Sequence, residues 1–204
     1  MKRPHILVTG FGPFPGVRKN PSGQLARALA RSPRARRIAC VSALVMPTTY
    51  AEIAKLPRQV ARKKPDAVLM FGLAGRARVL RIETRGRNRA DSKHPDAARK
   101  KARRVLVPGA PKTLKVTAPA AALLKAARAT GVKVQLSSDA GGYVCNAAIF
   151  HMLNATHEKN TPLVAFVHIP WPLEHAPGNK NRSSFAAIRR AAEAMLVALA
   201  GLWA

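Results

Sequence analysis

Five short apolar runs, rich in branched side chains and bounded by Gly, Pro or Asp, alternate along the chain with stretches patterned for helix; they cover 6–8, 38–45, 67–71, 132–136 and 163–167. Runs of this length and composition predict buried strands. Helices are expected over 21–31, with Asn20 as N-cap and Pro21 in the first turn, and over 50–63, 119–130, 145–156 and 182–202. The alternation predicts an α/β fold, a three-layer sandwich whose mostly parallel, twisted sheet carries helices on both faces. With 204 residues, 48% of them hydrophobic, the chain can bury a core without disulfides, and a single domain over 1–204 is expected. In such sheets functional groups gather at the carboxyl ends of the strands.

The segment 75–111 breaks the rhythm. Short apolar pieces at 79–82 and 105–107 flank a very basic stretch, which predicts an irregular strand, a mobile surface excursion and a second short strand, because dense like charges resist compaction. The whole chain is strongly basic, with 36 Lys+Arg against 9 Asp+Glu and a formal net charge of +27. A field of that size attracts polyanions by salt-sensitive steering, so non-specific polyanion binding is one expectation. The basic residues are scattered, aromatics make up only 5%, and no zinc-finger, helix-turn-helix or RNP pattern occurs, which argues against a dedicated nucleic-acid groove. No segment is apolar for long enough to span a membrane. The two cysteines, far apart in sequence, and the lack of a secretory pattern before His5 lead to an expected reduced, cytoplasmic setting.

Chemistry concentrates at 137–146, where the polar, Gly-rich turn Ser137-Ser138-Asp139-Ala140-Gly141-Gly142 leads through Tyr143-Val144-Cys145-Asn146 into a helical pattern. Cys145 is thereby expected at a helix start. Unpaired N–H groups and the positive end of the helix dipole stabilise a thiolate, so the thiol is expected to be acidic, and the same N–H groups can hold an oxyanion. Cys40, inside the run 38–45, is expected to be core. A thiol nucleophile needs a base, and six histidines compete for that role. His168 is favoured because it ends the run 163–167 and so belongs at a strand's carboxyl end. His5 and His94 lie away from that edge, and His151 and His157 are spaced for different helix faces. Neither H-E-x-x-H nor paired C-x-x-C is present, and no metal or cofactor is expected. The loop Gly10-Phe11-Gly12-Pro13-Phe14-Pro15-Gly16 is not a phosphate cradle, since its prolines remove N–H donors; its two phenylalanines can enclose a small apolar ring.

These blocks resemble, in order, those of the pyroglutamyl peptidase I (pyrrolidone-carboxylate peptidase) family of cysteine peptidases. The run 132–146 is similar to the family's cysteine signature, Phe166-Val167-His168-Ile169-Pro170 to its histidine motif, and Gly10-Phe11-Gly12-Pro13-Phe14 with Asn20-Pro21-Ser22 to the loop that holds the pyrrolidone ring. The spacing from Gly72-Leu73-Ala74-Gly75 through Glu83 to Asn88 matches the family's glutamate signature. The resemblance implies a cysteine exopeptidase that removes N-terminal pyroglutamate from peptides, with Cys145 as nucleophile, His168 as base and Glu83 orienting it. It further implies substrate contacts by Phe11, Phe14, Leu73 and Lys93, and assembly as a homodimer or tetramer; Tyr143 and Val144, directly before Cys145, are expected to line the pocket by adjacency. The chain departs from the family's pattern at Leu73, where a Gln is usual, at Arg76, at Arg81 in place of a small hydroxyl residue, after Glu83 in Thr84-Arg85-Gly86, and at Lys93 in place of Arg. Two alternatives follow from those departures and from the charge: a related thiol amidohydrolase with altered specificity, and an anion- or nucleic-acid-binding protein that keeps the fold.

Overall fold

The computed structural model describes residues 3–91, 94–156, 162–175 and 182–203. Chain order is β1 (His5–Phe11), α1 (Pro21–Ala30), α2 (Pro33–Ile38), β2 (Cys40–Met46), α3 (Tyr50–Lys63), β3 (Ala67–Leu73), β4 (Leu80–Glu83), β5 (Arg85–Arg87), β6 (Thr113–Lys115), α4 (Ala120–Arg128), β7 (Val134–Ser137), α5 (Val144–Thr156), β8 (Leu163–Ile169) and α6 (Phe185–Ala200). Six strands form one sheet in the order β2-β1-β3-β8-β4-β7. Strands β2, β1, β3 and β8 pair in parallel, β4 runs antiparallel to β8, and β7 follows β4 in parallel. The sheet is thus mostly parallel, with one antiparallel seam between β8 and β4.

Side-chain alternation along the strands divides the core into two layers. Ile6, Val8, Leu69, Phe71, Val167, Leu80 and Ile82 pack on one face against Leu25 and Leu29 of α1, Leu123 of α4 and Ile188, Met195 and Leu199 of α6. Leu7, Phe11, Val68, Met70, Val164 and Phe166 pack on the other face against Ile53, Leu56 and Val60 of α3 and Ala147, Ala148 and Met152 of α5. The α/β expectation holds, and the helix starts follow their capping chemistry. Asn20 accepts the Ser22 N–H ahead of Pro21, and Thr49 accepts the Glu52 N–H at the head of α3.

Four local expectations need correction. Ile38 ends α2, a helix capped by Ser32 and begun by Pro33, so the second strand starts only at Cys40. The Ser-Pro pair announces that helix in the sequence. Cys40 is exposed at the strand's first residue, not buried in mid-strand. Residues 105–107 form no strand, because Asn88 takes over the backbone there: its Oδ1 accepts the Val107 N–H at 2.8 Å and its Nδ2 donates to the Val107 carbonyl at 2.7 Å. The short ribbon is made instead by β5 and β6. Nor is the basic excursion a free loop. Ala90 N–H donates to the Arg104 carbonyl at 3.0 Å, and buried Asp96 accepts the N–H groups of Ala98, Lys100 and Tyr50, each at 2.9 Å.

Candidate active site

The antiparallel seam brings two distant segments into register. Arg81 of β4 faces His168 of β8 as its Cα partner, and Glu83 faces Phe166. On β4 the side chains of Leu80 and Ile82 point into one core layer, which leaves Arg81 and Glu83 on the opposite face. On β8, Val167 and Ile169 share that first layer, which puts Phe166 and His168 on the face of Glu83. The outcome is a 2.7 Å contact between His168 Nδ1 and Glu83 Oε1, with the histidine 3% and the glutamate 0% exposed. The Phe166 ring lies edge-on to the imidazole, with centroids 4.9 Å apart. A carboxylate that occupies Nδ1 fixes the tautomer and leaves Nε2 free for proton transfer.

Cys145 is the second residue of α5, which Val144 begins, close to the expected start. Ahead of it, Gly141 takes a φ of +80°, in the left-handed region that favours glycine, and so turns the chain into the helix. The first helical bond runs from Ala147 N–H to the Tyr143 carbonyl, so the amides ahead of Ala147 are not taken up by the helix ladder. The sulfur stands over Gly72, the Cα partner of His168 on the other side of β8. A Cβ at Gly72 would come within 2.8 Å of Cys145 Sγ and of Phe166 Cζ, so the seat of the thiol requires that glycine. Cys145 and His168 line one cavity of about 680 Å³ together with Leu73, Arg81, Ser137 and Tyr143.

The electrostatics correct the expectation of an acidic thiol. Burial raises the Cys145 pKa most, the Glu83 carboxylate adds to it, and Arg81 and the residue's own N–H offset only part, so the thiol is pushed up to about 12. These surroundings favour the neutral thiol over the thiolate. Glu83 carries a mismatch of its own: Oε1 lies 3.6 Å from Arg81 Nε, too far for a hydrogen bond, and both Oε2 and that Nε are buried without a partner. Arg85, the other arginine beside Glu83 in sequence, is exposed on β5.

The residues singled out for substrate contact fall in different places. Leu73 and Tyr143 line the cavity, and the Tyr143 hydroxyl donates to the Pro95 carbonyl at 3.1 Å. Val144 is fully buried, so it backs the site from the core and does not face the cavity. Phe11, 1% exposed, belongs to the same apolar cluster as Val144, with Tyr50, Tyr143 and Cys145 packed against it. Phe11 also lines a neighbouring cavity of about 520 Å³ with Arg18, Asn20, Met46 and Thr48. Phe14 is half-buried and bridges to Val17. The expected pair of ring-enclosing phenylalanines is therefore split, with Phe11 in the cluster beneath the site and Phe14 on the surface loop. Lys93 lies outside the described residues. Among the described residues, no three His, Cys, Asp or Glu side chains converge to hold a metal ion.

Two positions that stand in the sequence only as parts of motifs prove structural. Asn146, 1% exposed, accepts the Arg87 N–H at 2.9 Å and donates to the carbonyls of Arg87 and Arg89 at 2.9 and 2.7 Å, tying β5 to the start of α5. Gly72 makes room for the sulfur. The signal for Asn146 was its place next to the cysteine; for Gly72 it was a glycine inside an otherwise bulky apolar strand.

A family model described as pyroglutamyl peptidase matches residues 4–201. The pyrrolidone-carboxylate peptidase of Thermococcus kodakarensis is 34% identical over 174 residues, 84% of this chain and 83% of that protein. That of Gloeobacter violaceus is 34% identical over 175 residues, with 84% and 83% covered. Among solved structures, the pyrrolidone carboxyl peptidase of Thermococcus litoralis superposes with a TM-score of 0.87 at 25% identity, over 98% of this chain and 94% of that one. A mutant of the Pyrococcus furiosus pyrrolidone carboxyl peptidase gives 0.88 at 26% identity, over 98% and 100%.

Proposed function

Because this chain belongs to the pyroglutamyl peptidase family, we propose that it is a cysteine exopeptidase that hydrolyses the N-terminal pyroglutamyl residue from peptides, with Cys145, His168 and Glu83 as its catalytic set. The observation that carries the assignment is the 2.7 Å Glu83–His168 pair, whose histidine shares one cavity with a thiol at a helix start. Since Cys145 rests as a thiol, His168 acts as general base: Nε2 takes the proton as Sγ attacks the pyroglutamyl carbonyl carbon. The carbonyl π electrons move to oxygen, and N–H groups at the start of α5 stabilise that oxyanion. Collapse of the intermediate breaks the C–N bond, and His168 returns its proton to the departing amine. Water, deprotonated by His168, then cleaves the thioester and frees pyroglutamate and the thiol. Glu83 holds the imidazole by Nδ1 and offsets its positive charge while it carries the proton.

The lactam ring takes the apolar side of Cys145, where Phe11 and Tyr143 pack on one cluster and Val144 backs them. Leu73 adds apolar contact from the end of β3, Phe14 closes the loop above, and Lys93 supplies a donor to a substrate carbonyl or carboxylate, held less firmly than by a guanidinium fork. A reduced, cytoplasmic setting suits a free nucleophilic thiol. The chain works as a homodimer or tetramer, weakened by its own charge, and its basic surface binds polyanions without sequence preference. The test is release of fluorophore from a pyroglutamyl fluorogenic amide. The expected result is turnover that alkylation of Cys145 abolishes; no turnover, or turnover indifferent to alkylation, refutes the assignment.

A further inference from the structure

The two sides of Cys145 differ in chemistry. On one side lies the apolar cluster of Phe11, Met46 and Val144, with Tyr50 and Tyr143 packed on it. The cavity that Cys145 itself lines carries Arg76, Arg81, Ser137, Ser138 and Asp139 beside Leu73 and Tyr143. Asp139 already pairs with Arg87 Nη2 at 3.1 Å, outside the cavity lining, so two arginines dominate its charge. Arg76 is exposed, whereas the Arg81 side chain is only 29% exposed. Glu83 is the acidic side chain that approaches it, at 3.6 Å from Nε, and that buried Nε has no hydrogen-bond partner. Glu83 approaches this guanidinium at Nε but stays beyond hydrogen-bond range, so a cation that lines a partly shielded cavity with Cys145 favours an anion there.

We propose that Arg81 is a specificity-determining residue that selects peptides with an acidic residue directly after pyroglutamate. The inference rests on the peptidase reading above and extends it to the leaving group. A lactam ring lodged in the apolar cluster, with its carbonyl on Sγ, leaves the polar cavity for the departing amine and the side chain that follows it. A carboxylate there meets the guanidinium of Arg81; an amide of the same shape does not.

The test compares kcat/KM for pyroglutamyl-aspartyl and pyroglutamyl-asparaginyl amides, which differ only in that charge. The wild-type protein is expected to favour the aspartyl peptide about fivefold, a ratio typical of one partly shielded ion pair. Part of any preference from the overall +27 charge is lost in 0.5 M salt, but the share due to Arg81 persists better because its side chain is sheltered. Arg81→Met slows both substrates through its nearness to Glu83, and the ratio isolates specificity from that common loss; the expected ratio is within twofold of one. Arg81→Lys keeps the charge and is expected to retain most of the preference. Equal hydrolysis of both peptides by the wild-type protein overturns the inference while leaving the peptidase reading intact, as does an unchanged ratio in Arg81→Met. If neither peptide is cleaved, the peptidase reading falls and the inference falls with it.

Discussion

The β8–β4 seam and the excursion between β5 and α4 reach positional order by opposite routes. In the seam the ladder does the work: register alone sets His168 and Glu83 on one face, and the side chains are free to do chemistry. In the excursion regular pairing is sparse, and buried polar side chains substitute for it, Asn88 holding Val107 and Ala110, Asp96 closing its own turn, and Asn146 gripping Arg87 and Arg89. On the proposed function, the polar seam side chains His168 and Glu83 should therefore matter more for turnover than for folding. In the excursion the dependence is reversed, because loss of one side chain strands several backbone groups at once.

The largest effects expected from this contrast lie in the seam and at the thiol. Cys145→Ser should abolish measurable turnover with little change in melting temperature, since a hydroxyl is far less acidic than a thiol and nearly the same size. His168→Ala should cost several orders of magnitude in kcat; a loss below tenfold would mean that another base serves. Glu83→Gln should cost less than His168→Ala, because it removes orientation and charge but not the proton acceptor. The same change removes one cause of the raised thiol pKa, so alkylation of Cys145 in a Cys40→Ser background should become faster at neutral pH.

The pH dependence sharpens the point. The folded Cys145 pKa is raised to about 12 from an ordinary value of 9.0, so burial of the neutral thiol contributes stability that is fully present below about pH 9. That contribution fades as pH rises towards the folded value. Chemical denaturation should show stability falling with pH above 9 in the Cys40→Ser protein, and falling less when Cys145→Ala is added. Alkylation of Cys145 should likewise climb through pH 9. A plateau below pH 7 would mark a preformed thiolate–imidazolium pair.

Asn88→Ala should invert the pattern of the seam. It strands the Val107 N–H and carbonyl and the Ala110 carbonyl, which should lower stability by about 1–3 kcal/mol while kcat per folded molecule stays within about threefold. A large loss of kcat with unchanged stability would erase the distinction between the two regions. The smallest expected effect is at Leu73, which lines the cavity from the end of β3. Leu73→Gln should shift kcat/KM for a pyroglutamyl amide by less than about tenfold, or about 1.4 kcal/mol. A much larger gain would point to a different natural substrate.

The parallel strands β1, β2, β3 and β8 were legible because they are largely apolar runs, and the two helix-bearing faces followed from the alternation. His168 could be placed because it ends such a run, and Cys145 because a Gly-rich turn precedes a helical pattern. Less visible was anything decided by a single side chain acting on distant backbone. Val105 to Val107 read as a strand by composition, yet Asn88, far off in sequence, claims the backbone of Val107. Helix-start logic gave Cys145 an acidic thiol because the dipole is a local feature, whereas burial and the charge of Glu83, a residue on another strand, outweigh it. Cys40 misled for the opposite reason, since an apolar neighbourhood in sequence does not tell a strand's exposed first residue from its centre.

The most direct test of the central claim is mass spectrometry of the protein quenched in acid during turnover of a pyroglutamyl ester, followed by peptide mapping. The expected result is a pyroglutamyl group carried as a thioester on Cys145, present in the wild-type and Cys40→Ser proteins and absent from Cys145→Ser. Acylation of Cys40, or turnover by Cys145→Ser at an undiminished rate, would contradict it.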